Sequence, residues 1–532
     1  MSLALRCTAA FLLLGCAQAV QTNAVDAAGP RTRAERTSYL ETSRYADVIS
    51  FLDSLRGRPE LTFGSIGKTN EGRDIPYVIA SRPRVATPAE ARALSRPILY
   101  VQGNIHAGEV EGKEALLAIL RDLTSSSRPN ALDSVVLIAV PIYNADGNER
   151  FGHQEQNRGS QNGPEMVGVR ANAQNLDLNR DYIKAEAPET RASLAMFNTW
   201  DPDVFVDLHT TDGSYHGYAL TYAAPLNPAA PLGMWTRDSI MPLLRQRMQS
   251  RHGFPTFDYG DFIDDDTLSK GWATFDSRPR FGTNYYGLRG RIGILSEAYS
   301  HDPFERRVKS TYAFVREILS LAAEKSAGIR KKFTIPTQVP IRSSMIPAPD
   351  PIGVIAEVME RTGDSTRTQA GVPKGRRRTG RYLTVKMPVM DRFRPTLSAS
   401  VPVRYVIPES DTQVVRVLRH HGITVGQASQ ALPNTQLMSE AYVFDVDSTI
   451  VAPRPFQGHR EIRLTGRWRR DTRRIPAGSF IVSTSQPLGL LAVYMLEPQS
   501  DDGLVTWNYF DRELKPGGIY PVFKTGGVPP TP

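Results

Sequence analysis

Four short apolar runs, set between stretches of helical periodicity, constrain this chain more than any other feature. They are Pro97–Gln102 (PILYVQ), Ser134–Pro141 (SVVLIAVP), Asp203–Leu208 (DVFVDL) and Arg291–Ser296 (RIGILS). Each is short and largely continuous, the pattern of a strand covered on both faces. Residues 42–56, 110–124, 188–200, 229–249 and 303–325 carry apolar side chains at helical spacing. Leu61–Gly67 and Ile75–Ala80 read as a strand pair around an Asn-Glu-Gly turn. This alternation predicts an α/β fold with a mixed, mostly parallel sheet flanked by helices. In such folds, sites collect where strands end.

The 532 residues include two cysteines, Cys7 and Cys16. A disulfide scaffold and a thiolate metal site are therefore excluded. The opening MSLALRCTAAFLLLGCAQAV has one basic residue, an apolar run and small residues at its end. That is the layout of a secretory signal, residues 1–19, ending in Ala17-Gln18-Ala19. Leu13-Leu14-Gly15-Cys16 offers the alternative of a lipoprotein anchored at Cys16. Either way the chain is expected to be exported, periplasmic or extracellular, with no transmembrane helix in its mature part. Residues 20–38 are polar and alanine-rich and read as a disordered leader.

Charge divides the chain. Residues 331–532 hold 27 Lys and Arg against 17 Asp and Glu, whereas residues 1–330 hold 37 against 38. The reading that follows is an α/β domain over 39–328, a linker or extended segment over 329–380 and a basic β-rich domain over 381–532. A proline-punctuated stretch spans the boundary at residues 327–351, and a basic run follows at Lys374–Arg381. Runs at 382–387, 400–407, 441–446, 460–468, 480–483 and 490–494 suggest a smaller, β-sandwich-like C-terminal domain. No nucleic-acid motif is present, so no nucleic-acid partner is expected. The basic excess reads either as a solvated face or as attraction to an anionic envelope surface.

Chemistry-bearing residues gather at the strand ends. His106-Ala107-Gly108-Glu109 follows the first apolar run and brings an imidazole and a carboxylate to one turn. His209 follows the third run. Two histidines, one glutamate and an open fourth position form a usual set for catalytic zinc. Glu297 ends the fourth run, where a carboxylate near a metal can act as a general base. Asp177-Leu178-Asn179-Arg180 and, nine residues before Asn179, Arg170 complete the set. His153, His216, His252, His301 and His459 read as loop or structural residues, and His420-His421 has no carboxylate pattern beside it.

Together with Ile66–Pro76 (IGKTNEGRDIP) and Asn144-Ala145-Asp146-Gly147, these motifs resemble, in order, the M14 family of zinc carboxypeptidases over residues 40–325. The resemblance implies that His106, Glu109 and His209 bind one zinc ion and that Asp177 holds His106 in place. It implies that Asn179 and Arg180 clamp the substrate's carboxylate. Arg170, chosen over Arg158 on its spacing, would polarise the scissile carbonyl, and Glu297 would serve as base. The implied reaction is removal of C-terminal residues from peptides. The family's murein-peptide amidases and N-acyl amino acid deacylases share the ligand set and supply alternative substrates, acyl-amino acids among them. A non-catalytic relative that binds peptide or glycan is a further alternative, opposed by the presence of a candidate for every ligand and for the base. Asn144-Ala145 replaces the more usual Asn-Pro. Tyr259, Tyr285 and Tyr286 all compete for the family's mobile tyrosine. The specificity pocket is expected near residues 270–284, without a convincingly placed acidic residue.

Overall fold

The computed structural model describes residues 29–125, 127–330, 333–361, 376–428 and 439–527. The expected export signal and the start of the basic run, Lys374-Gly375, lie outside these residues. Eight strands form the main sheet: β1 (Leu61–Lys68), β2 (Asp74–Ala80), β3 (Ile98–Gly103), β4 (Val136–Val140), β5 (Val204–Thr210), β6 (Leu220–Ala223), β7 (Thr256–Asp258) and β8 (Ile292–Ala298). Their order is β1-β2-β4-β3-β5-β8-β6-β7. The central run β4-β3-β5-β8 is parallel. Every residue of these four strands is buried, as continuous apolar runs require when helices cover both faces.

The period of two along each strand sorts the core into two halves. Leu99, Val101, Leu137, Val206 and Ile294 pack towards helices Glu111–Leu123 and Phe304–Glu324. Tyr100, Ile138, Val140 and Phe205 pack on the other side, towards helix Pro188–Trp200 and Tyr285 and Tyr286. Burying each large apolar side chain contributes roughly 1.5–3 kcal/mol.

Two glycines set how close the first of these helices lies to the strand ends. A Cβ on Gly103 would sit 2.9 Å from the Gly112 carbonyl carbon, and one on Gly112 would sit 2.7 Å from Leu208 Cβ. With no side chains there, the start of helix Glu111–Leu123 drops onto the ends of β3 and β5. The turn that carries His106 and Glu109 is thereby pressed against His209.

The C-terminal region is antiparallel and β-rich. Six of its strands form one sheet, in the order Gly426–Gln427, Phe480–Ser483, Pro402–Ile407, Phe523–Gly527, Ser439–Val451, Ile462–Arg473. Helices Thr412–His420 and Gly489–Leu496 pack in the same core cluster as Tyr182 and Phe205 of the α/β part. The basic region therefore shares a core with its neutral neighbour.

Two segments differ from the sequence reading, Leu490–Tyr494 and Arg33–Arg36. Leu490–Tyr494, read as β-type, lies in helix Gly489–Leu496, all of whose residues are buried. A wholly apolar run has neither a period of two nor one of 3.6, so its pattern does not separate the two states. The stretch read as a linker or extended segment holds the strand Gln338–Ile346, paired with Arg392–Ser400. In the polar leader, Arg33–Arg36 forms a helical turn closed by a Thr32–Glu35 capping box. Ala34 of that turn is buried, and Glu35 pairs with Arg121 at 2.6 Å. Among the described residues no helix is long and apolar enough to cross a membrane.

Candidate active site

β3, β5 and β8 lie side by side, and the candidate ligands and base sit at their C-terminal ends. In the parallel register Glu297 stands opposite His209. The turn after β3 is shaped by Asn104, whose φ of 67° reverses the chain. Its side-chain amide donates to the carbonyls of Ala107 and Glu109 at 3.2 and 3.3 Å. Asn144 of the Asn-Ala-Asp-Gly motif ties that turn to the Arg170 segment, donating to the carbonyls of Ile105 and Arg170. Asp146 accepts from Thr69 at 2.7 Å, from the Glu71 backbone at 2.9 Å and from Arg73 at 2.7 Å. Two motifs far apart in sequence thus form one brace beneath the site.

His106, Glu109 and His209 are buried, and one donor atom from each lies within 4.8 Å of the others. His106 Nδ1 is 3.0 Å from Glu109 Oε1, and His209 Nδ1 is 2.9 Å from Glu109 Oε2. The two Nδ1 atoms face each other at 3.2 Å. Their Nε2 atoms point away, to Asp177 Oδ1 and Asp207 Oδ2, each at 3.0 Å. Asp177, within hydrogen-bond distance of His106 Nε2, favours a proton there and turns the Nδ1 lone pair of His106 inward, and Asp207 lies behind His209. The two Nδ1 atoms and the Glu109 carboxylate thus converge on one point. Burial lowers the proton affinity of His209, but Asp207 and Glu109 outweigh it and the net shift is well upward. The three residues could hold a metal ion, and a His–Glu–His donor set is one that zinc takes in catalytic sites.

The other sequence-selected residues reach the same cavity. Arg170, Asn179, Arg180 and Glu297 line it together with the three candidate ligands. Glu297 accepts no hydrogen bond from the described residues. Burial, reinforced by Glu109 and Asp212, raises its carboxyl well above the ordinary range, although His209 and Arg158 oppose the shift. Arg170 donates to Asp177 Oδ2 at 2.9 Å while its side chain stays 39% exposed. Arg158 instead lies buried on Glu109 Oε1 at 2.9 Å and donates to the Thr211 carbonyl. Arg180 stacks on Phe281 at 4.0 Å, and its nearest carboxylate oxygen, on Asp177, is 3.9 Å away. Burial lowers its affinity for its own charge. It is a guanidinium with room for an anion.

Of the three competing tyrosines, Tyr259 lines the cavity, whereas Tyr285 and Tyr286 are buried in the aromatic core. The stretch 270–284 contributes Phe275, Phe281 and Thr283 to the wall and, among the described residues, no carboxylate. Sequence reasoning missed Asp212, which lines the cavity, and the support behind His209. Gln102 donates to Asp207 Oδ1 at 3.0 Å, and Asp207 backs His209. The available signal was the two-residue spacing of Asp207 and His209, which puts both side chains on one face of a strand.

Residues 48–230 match the family model described as zinc carboxypeptidase, Peptidase_M14. Carboxypeptidase 2 of Trichophyton tonsurans is 24% identical over 486 residues, covering 86% of this chain and 81% of that protein. Carboxypeptidase Z of Mus musculus is 33% identical over 125 residues, covering 22% of this chain and 17% of its own. Among solved structures, a metallo-carboxypeptidase from Burkholderia cenocepacia aligns with 17% identity and a TM-score of 0.40, over 54% of this chain and 70% of that one. Residues 48–230 thus carry a zinc carboxypeptidase domain, the chain is similar along most of its length to proteins named carboxypeptidase, and it is a metallocarboxypeptidase-type hydrolase.

Proposed function

We propose that the chain removes C-terminal residues from peptides with a zinc ion held by His106, Glu109 and His209. One observation carries this reading: the Nδ1 atoms of two imidazoles and a carboxylate converge at adjacent strand ends, with the carboxylate of Glu297 in register beside them. Bound there, zinc supplies Lewis acidity that makes water a competent nucleophile near neutral pH. Asp177 holds the His106 ring in the tautomer that leaves Nδ1 free for coordination, and Asp207 lies behind His209.

The residues of the chain do the rest. Arg180, with Asn179 beside it, receives the carboxylate end of the peptide; a planar guanidinium suits that group. Phe281 keeps Arg180 flat against the wall. Arg170, fixed through Nε by Asp177, presents its remaining donors to the carbonyl oxygen of the scissile bond. Glu297 takes the proton from the attacking water and returns it to the leaving amine.

Dialysis against a chelator is expected to abolish hydrolysis and to lower the unfolding midpoint, and one equivalent of zinc restores both. A ligand present at a hundred times its Kd stabilises the folded state by about 2.7 kcal/mol. Unchanged activity and midpoint after the metal has been stripped would count against the proposed site.

A further inference from the structure

The loop bearing the carboxylate clamp is held from outside the α/β part. Between strands Ser439–Val451 and Ile462–Arg473 the chain reverses through a turn at Phe456-Gln457-Gly458-His459. Phe456 and His459 exchange both backbone hydrogen bonds, at 2.7 and 3.0 Å. Gln457 and Gly458 both have positive φ, 50° and 82°. This is the type I′ geometry, where Asn, Asp or Gly is the usual first central residue. A glutamine there is uncommon.

Its side chain shows what the position does. Gln457 Oε1 accepts the backbone N–H of Asp177 at 2.9 Å, across 280 residues of sequence. Asp177 is the hub of the site. Its carboxylate meets His106 Nε2 at 3.0 Å, Arg170 Nε at 2.9 Å and the Asn179 backbone N–H at 2.9 Å. The turn makes further contacts through His459 and Phe456. His459 meets Glu186 Oε1 at 2.9 Å and Asn508 Oδ1 at 3.0 Å. Phe456 lies over the Arg280 guanidinium at 5.3 Å, and the next residue, Phe281, supports Arg180.

We propose that this turn of the C-terminal region is part of the substrate site, with Gln457 a positioning residue that sets where Asn179 and Arg180 present their donors to the peptide carboxylate. The proposal rests on the reading of those two residues given above. A hydrogen bond to the backbone of Asp177 fixes the loop ahead of Asn179 and Arg180, so its loss moves the clamp before it moves the base. Substrate affinity should therefore respond more than turnover.

The test compares wild type, Gln457→Gly and Gln457→Glu as full-length, zinc-loaded proteins, on a peptide with a free C-terminal carboxylate. Glycine fits the positive φ without strain but removes the acceptor, and glutamate keeps an acceptor at the same reach. Gln457→Gly is expected to raise KM about three- to tenfold, the worth of one hydrogen bond, with kcat within about twofold and the unfolding midpoint unchanged or higher. Gln457→Glu should stay within about twofold of wild type in KM. An unchanged KM in Gln457→Gly overturns the proposal. So does a joint fall of kcat and midpoint at constant KM, which would mark the turn as merely structural. Equal damage in Gln457→Glu overturns it as well. If the wild type binds the peptide without cleaving it, the hydrolytic reading fails separately, and the same comparison is made on the peptide's Kd by calorimetry. A wild type that neither binds nor cleaves the peptide overturns both.

Discussion

Glu297→Gln is expected to lower kcat by about 10²- to 10⁴-fold while the protein keeps one zinc per chain. The carboxylate sits beside the ligand cluster without belonging to it, since the donor atoms within 4.8 Å of one another come from His106, Glu109 and His209. Glutamine has the same shape as glutamate and removes only the site that accepts the proton. Glu297 stands in the middle of a buried strand end, opposite His209 on one side and Thr221 on the other, so the backbone has little reason to move. Metal content by atomic absorption and single-turnover kinetics check the two halves of the claim. Turnover within tenfold of wild type would remove Glu297 from its role, and loss of zinc would make it a ligand.

The second large effect concerns stability. Arg280→Met is expected to destabilise the protein by roughly 3–5 kcal/mol, because it leaves a buried carboxylate without its cation. Arg280 is 2% exposed and Asp502 fully buried, and their side chains meet at 2.7 and 2.9 Å. Glu461 adds a contact at 2.7 Å, and the Trp507 ring lies 4.6 Å from the guanidinium. Burial already pushes the Asp502 carboxyl up, held in check by Arg280 and Arg278. Adding Asp502→Asn should recover part of the loss, because the stranded charge is gone, and the double-mutant cycle measures the coupling. A shift in denaturant midpoint no larger than that of a surface substitution would show that the two regions are not locked through this pair.

How much of this was legible in the sequence depended on whether the interacting residues were close along the chain. β3, β4, β5 and β8 announced themselves because a strand buried on both faces must be apolar throughout. His106 and Glu109 were legible as a short-range pair, and His209 and Glu297 because each follows such a strand. Asp207 was less visible, although it shares a strand face with His209. Gln457 carried no signal at all: nothing local distinguishes a glutamine that will meet Asp177 from any other glutamine. Helix Gly489–Leu496 was misread because it is apolar all round, and the Thr32–Glu35 capping box was overlooked within a polar, alanine-rich leader. The shared core explains the remaining gap. Charge separates residues 331–532 from the rest, yet Tyr405, Leu490 and Trp507 pack in one cluster with Tyr182 and Phe205.

The central claim is that the cavity reads a free carboxylate at the end of a peptide and that the cation site does the cutting. Zinc-loaded protein should be incubated with one peptide as its free acid and as its C-terminal amide, and the products followed by mass spectrometry. Stepwise loss of single residues from the free acid, with little or no loss from the amide, is the predicted result. Internal cleavage, equal cleavage of both forms, or intact free acid under a zinc-loaded, folded protein would contradict it.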